Sequence, residues 1–197
     1  MPERYAEVMR TILLRKTVID LSMGKQQLKK YFSQLSKEDL EDQIIELYTT
    51  SKEVKKYYDF LLNPDIRKII DEWKAKISKE YFPVYGKRVK ARRSIGQKAI
   101  RELSFLGVPP DIIADIRLYA IEIAILFTIE QNRTNVAFFK SFETQFKNAL
   151  DYMHKNGILS DFKSRCRQIV TRVNEAQWSN RRNFELLYAR YQLKHKQ

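Results

Sequence analysis

Glu122 sits inside the most apolar run of the chain, LYAIEIAILFTI from Leu118 to Ile129, and Glu130 follows that run directly. A carboxylate in such surroundings must be ion-paired, hydrogen-bonded or neutral. A perturbed acid of this kind can serve as a general acid or base, which makes Glu122 the candidate buried functional carboxylate. The structural alternative is a partnership with an arginine or tyrosine of a neighbouring helix. Acid–base chemistry also needs a companion group and a cleft, and no spacing in the sequence designates either. No catalytic residue is therefore assigned.

A second constellation is basic. YGKRVKARRSIGQKAIREL, from Tyr85 to Leu103, carries Lys87, Arg88, Lys90, Arg92, Arg93, Lys98 and Arg101 before its first acid, Glu102. Residues 81–101 hold seven bases and no acid, and residues 165–197 hold eight bases and two acids. The remainder is nearly balanced, so the net charge of +13 is concentrated in two places. Cations at this density suit phosphate contacts, and Tyr81, Phe82 and Tyr85 just upstream suit base stacking. The candidate polyanion-binding residues are Lys87, Arg88, Lys90, Arg92 and Arg93 in the connection, with Arg181 and Arg182 in the tail. A helix-turn-helix is a poor fit, because Leu103 stands where a small residue is needed and the next helix is too apolar to lie in a groove. Nucleic acid would be held by its backbone. A solvated charged connection is the alternative, since a charge run does not by itself establish function.

Other chemistries find little support. His154, His195 and Cys166 do not lie at i, i+3 or i, i+4 from one another, so neither a metal site nor a cofactor is expected. Glu38, Asp39, Glu41 and Asp42 lack the glycine and spacing of a calcium loop and read as the first turn of a helix. Cys166 lies between Arg165 and Arg167, which would lower a thiol pKa. It also shares a helix face with Ile169, Val170 and Val173, as a buried small hydrophobe does. Neither a G-x-S-x-G elbow nor a phosphate-binding glycine loop occurs.

The elements that must position these residues read as helices almost throughout, from apolar residues spaced i, i+3, i+4, i+7. Pro2 opens a helix through Leu13. Leu28, Phe32 and Leu35 share a face. Ser36 and Asp39 form a capping-box pattern before EDQIIELY. Ser51 precedes KEVKKYYDFLL, and Asn63-Pro64 is an N-cap followed by proline at N1. Pro83 and Gly86 then break the periodicity, marking a basic connection near 83–94 between two helical halves. The helix from Ser94 turns Ile95, Ala99 and Leu103 inward and ends at Gly107. Asp111–Gln131 is apolar on almost every face and is placed at the centre of the fold. Phe138, Phe142, Phe146, Leu150 and Met153 stripe the next helix, which Gly157 ends. Ser160 caps DFKSRCRQIVTRV, and a last helix runs from about Asn180 to Leu193.

Hydrophobic residues make up 44% of the 197 residues and charged residues 31%, enough for a core and too polar for a membrane protein. With five glycines and five prolines, long regular elements are expected. A single cysteine rules out an internal disulfide and suits a reducing cytoplasm. Charged residues interrupt the first fifteen positions, unlike a signal peptide, and about 18 consecutive uncharged apolar residues occur nowhere.

From Met23 onward the chain resembles an uncharacterised bacterial all-helical family, a domain of unknown function common in Bacteroidetes-like genomes. The resemblance rests on MGKQQLKKYFSQLSKEDLEDQIIELY, EVKKYYDFLLNP, LYAIEIAILFT and FFKSFETQFKNALDYMHKNG, and covers most of residues 23–190. These motifs resemble composition more than catalysis and imply no activity. The family's central helix is more polar just after the glutamate matching Glu122. Here Ile123, Ala124 and Leu126 stand instead, which weakens the case for a shared polar site. The resemblance also implies that residues 1–22 are an added helix or the product of a start codon assigned too early, and VIDLSMGKQQL breaks the helical pattern at that point.

The expectation is an all-α, compact multi-helix domain of eight or nine helices with one very apolar central helix, spanning residues 23–197. Its expected role is that of a soluble, cytoplasmic, non-catalytic binding protein whose basic surface takes an acidic partner, nucleic acid or protein. The alternative is an enzyme of unrecognised type that uses the carboxylate of the central helix.

Overall fold

The computed structural model describes residues 24–84, 88–131 and 135–194, with side chains through Gln192. The readings on residues 1–22 and on Lys87 lie outside the described residues. Nine helices and no strand occur among the described residues, an all-α fold. They are α1 (Lys25–Phe32), α2 (Lys37–Thr50), α3 (Lys52–Leu62), α4 (Ile66–Tyr81), α5 (Ser94–Phe105), α6 (Pro110–Glu130), α7 (Val136–Lys155), α8 (Lys163–Glu175) and α9 (Arg181–Lys194).

Local chemistry accounts for most of the helix starts. Ser36 Oγ accepts from the Asp39 N–H at 3.0 Å, and the Asp39 carboxylate accepts from the Ser36 N–H at 3.2 Å, closing the capping box of α2. Ser51 Oγ accepts from the Val54 N–H and starts α3 in the same way. At α4 the cap is Asp65 rather than Asn63, because the Asp65 carboxylate accepts from the Lys68 N–H at 2.9 Å. The helix therefore begins two residues beyond Pro64. Ser160 does not cap α8: its hydroxyl donates to Asp161, and the helix opens at Lys163 without a side-chain cap.

Three helix ends share one device. After α5, α7 and α8 a residue in the left-handed region is followed by an apolar residue whose N–H reaches back to a carbonyl five residues earlier. The pairs are Val108 to Leu103, Ile158 to Met153 and Trp178 to Val173. This is the Schellman ending, and the left-handed residues are Gly107 (φ 69°), Gly157 (φ 70°) and Gln177 (φ 53°). Gln177 bears a Cβ where the backbone favours glycine. Gln177→Gly is expected to stabilise the protein by about 0.5 to 1 kcal/mol, read as a higher melting temperature. An unchanged or lower value would show that this turn carries no strain.

The described residues form two units, one ending at Tyr58 and one beginning at Asp59. In the first, neither α1 nor α2 has a buried residue, and Leu28, Phe32, Ile45 and Leu47 remain largely exposed. The second holds the core. Within it α6 packs against α4, α5, α7 and α8, while α9 lies on α7 and α8. Buried residues occur along α6 from Ile113 to Thr128. Facing it are Trp73 and Ile77 of α4, Ala99 and Leu103 of α5, Phe142, Phe146, Leu150 and Met153 of α7, and Cys166, Ile169 and Val173 of α8. Gly96 of α5 is buried, and a Cβ there would stand 3.2 Å from the Cβ of Ala120, so its absence allows α5 to lie close on α6. Among the described residues no helix is long and apolar enough to cross a membrane.

Candidate functional site

α4 and α5 pack on each other and both rest on α6, and a groove runs between them. Its volume is about 420 Å³. Trp73, Lys76, Lys79 and Glu80 line it from α4, Ile95, Lys98 and Glu102 from α5, and Arg92 from the connection. The helical repeat explains the α4 set, since positions 73, 76 and 80 recur at i, i+3 and i+7 on one face.

The acids of this groove are engaged internally. Glu80 accepts from Arg92 Nε at 2.9 Å and from a terminal guanidinium nitrogen at 2.6 Å. That bond, aided by the positive charge of Arg92 and outweighing partial burial, holds the Glu80 carboxyl below its ordinary range. The Glu80 backbone carbonyl also accepts from the N–H groups of Lys90 and Ala91, the latter in the left-handed region at φ 49°. Glu80 thus ties the basic connection to the end of α4 through both backbone and side chain. Glu102 accepts from the Trp73 indole N–H at 3.0 Å.

The cations differ in how committed they are. Lys76 lies 4.6 Å from the centroid of the Trp73 ring and 3.7 Å from Glu72, both at the surface. Lys79 and Lys98 are exposed and make no ion pair or hydrogen bond among the described residues. Arg88 and Lys90 are exposed on the connection. Arg93 instead donates to the Ala137 carbonyl at the start of α7, at 3.3 Å.

Of the residues singled out by sequence, then, Arg92 lines the groove, Arg88 and Lys90 flank it in the chain, and Arg93 turns to α7. Arg181 and Arg182 open α9 and do not line the groove; the Arg181 guanidinium donates to the Trp178 carbonyl at 3.4 Å. The tail has its own basic surface on α8, where Arg167 and Arg172 border a shallow recess of about 250 Å³ with Ser164, Gln168, Thr171 and Glu175. Lys76 and Lys79 were not singled out because acids balance the charge of their segment. Only the helix face brings them beside Lys98.

Glu122 belongs to a different cluster. Its two carboxylate oxygens accept from Arg165 of α8 at 2.7 and 2.8 Å. Arg165 also donates to the Asp115 carboxylate at 2.5 Å, and Lys74 of α4 pairs with the other Asp115 oxygen at 2.7 Å. Two acids of α6 and two bases from flanking helices thus form a neutral, half-buried network. Burial opposes the charge on Asp115, but the hydrogen bonds from Lys74 and Arg165 prevail and hold its carboxyl below the ordinary range. The same balance raises the pKa of Arg165. Both Glu122 oxygens are thereby occupied by one guanidinium, the partnership with a neighbouring-helix arginine that is the structural alternative to catalysis. Glu130 is exposed.

Cys166, next to Arg165, is fully buried, and desolvation pushes its thiol up to about 12. The flanking arginines do not offset that, so the thiol stays protonated at neutral pH. Among the described residues no three His, Cys, Asp or Glu side chains group so as to hold a metal ion.

No curated protein and no solved structure matches the chain. A family model does, over residues 23–192, and it carries no assigned activity. By that match across nearly its whole length, the chain belongs to the family of unknown function DUF6155.

Proposed function

We propose that the protein is a non-catalytic binding protein that holds an acidic partner on the basic groove between α4 and α5. The observation that carries this reading is the asymmetry of the groove. Its two acids have partners within the groove, Arg92 for Glu80 and the Trp73 indole for Glu102, while Lys79 and Lys98 are exposed and make no ion pair or hydrogen bond among the described residues. Such a surface attracts polyanions at long range and loses affinity as salt screens it. Glu122 supports catalysis less well, since both of its oxygens accept from Arg165 and it lines neither the groove nor the recess on α8.

The test separates the groove from bulk charge. Lys79→Glu with Lys98→Glu, and Arg181→Glu with Arg182→Glu, remove the same net charge from the groove and from the tail. On a heparin column the groove variant is expected to elute at clearly lower salt than the tail variant, with both retaining native helicity by circular dichroism. Equal shifts, or a larger shift for the tail variant, would overturn the assignment to the groove.

A further inference from the structure

Resting on that reading, we infer that the groove takes the sugar–phosphate backbone of a nucleic-acid duplex without reading its bases. Three features of the lining lead there. First, among the described residues the arginine that lines the groove, Arg92, is held in a bidentate pair with Glu80. One edge of its planar fork, Nε with one terminal nitrogen, is therefore already committed to a carboxylate of this chain. The cations of the groove with no ion pair among the described residues are ammonium groups, Lys79 and Lys98, with Lys76 held only by a surface pair and a ring contact. Compact point charges bind phosphate without demanding one orientation, as contact with a regular backbone requires.

Second, the groove offers no stacking platform. Trp73 is only 7% exposed, its indole N–H is donated to Glu102, and Lys76 lies over its ring. Single strands are held chiefly by stacking their bases on open aromatic faces, and a duplex needs none. Third, the groove presents no bulky exposed apolar side chain to anchor a protein. Ile95 is its other large hydrophobe and is half-buried, whereas protein interfaces depend on buried aromatic or aliphatic anchors.

The experiment uses the full chain and fluorescence anisotropy at about 50 and 200 mM salt. The probes are two 20-base-pair DNA duplexes of unrelated sequence, a duplex RNA of the same length, one of the DNA single strands, and a 20-residue polyglutamate. The two DNA duplexes are expected to bind within about twofold of each other, and at least one duplex type about tenfold tighter than the single strand or the polyglutamate. Comparing DNA with RNA identifies which backbone is preferred. Lys79→Gln with Lys98→Gln is expected to lower the salt slope of duplex binding by about 2, near one unit for each lost phosphate contact.

Single-strand or polyglutamate binding as tight as duplex binding would overturn the duplex inference and leave the binding function standing. So would strong discrimination between the two DNA sequences. An unchanged salt slope in the variant would move duplex binding away from the groove. If no probe binds at either salt, the binding function itself falls with the inference.

Discussion

Arg165→Ala is expected to lower the unfolding free energy by about 3 kcal/mol, near the lower end for breaking a buried ion pair because the network is only partly buried. The guanidinium joins α8 to two points on α6, Asp115 and Glu122, seven residues and hence about 10 Å of helix rise apart. Removing it leaves Glu122 without the partner of either oxygen, whereas Asp115 retains Lys74. Arg165→Lys should recover less than half of the loss, since one ammonium cannot serve both carboxylates in the way a planar fork does. Arg165→Met combined with Glu122→Leu should be more stable than Arg165→Met alone, because an apolar replacement of both partners leaves no orphaned charge between them. The network also sets an acid limit. Asp115 is held below its ordinary value of 3.8, so its contribution is complete above that value. It is lost as the pH falls from there through the folded value, and Asp115→Asn should flatten this part of the acid-unfolding curve. Urea unfolding at pH 7 and pH 3 measures both effects. A loss below about 1 kcal/mol for Arg165→Ala would place the network among surface pairs of little consequence.

That network shows where the sequence stops being informative. Glu122 stands out because it interrupts an apolar run. Asp115 does not, and the arginine that binds both lies 43 residues beyond Glu122. A non-local pair leaves no trace in local spacing. The basic groove divides in the same way. The connection is conspicuous because its cations are consecutive and unopposed. Lys76 and Lys79 are hidden among nearby acids, and only the face that α4 turns toward α5 gathers them with Lys98 and Arg92.

The helices themselves are legible for a physical reason: amphipathic periodicity is local, and so are the caps. Ser36 with Asp39, Gly107 and Gly157 act through bonds within a few residues, and the structure shows each. Asn63 fails as a cap because the Asp65 carboxylate takes that place, and Ser160 because its hydroxyl turns to the Asp161 carboxylate. The ending at Gln177 is hidden for the opposite reason. It has the hydrogen bonds of the two glycine endings but no glycine.

Trp178, the residue that follows Gln177, is expected to give the largest single effect. It is fully buried, stacks on Phe139 at 4.7 Å between ring centroids and meets Phe184 edge-on at 5.7 Å. Phe138 and Phe142 complete the aromatic cluster around it. Its indole N–H donates to Thr128 Oγ1 at 2.8 Å, and that hydroxyl donates onward to the Ile125 carbonyl. Truncation to alanine removes the contacts of α6, α7 and α9 with one side chain, at a cost of about 3 to 5 kcal/mol. For a protein of this size that is a fall in melting temperature of roughly 10 °C or more. Trp178→Phe separates packing from the hydrogen bond. It retains a ring against Phe139 but leaves an unmet acceptor on Thr128 and a small cavity where the larger ring stood, so it should cost about 1 to 3 kcal/mol. Thr128→Val probes the bond from the other side, stranding a buried indole N–H at a cost of about 1 to 3 kcal/mol. If both conservative variants cost as much as Trp178→Ala, the hydrogen bond rather than the aromatic cluster joins the α8–α9 turn to α6. If Trp178→Ala costs less than about 1.5 kcal/mol, the surrounding phenylalanines close the cavity, and the core does not depend on this turn being held in place.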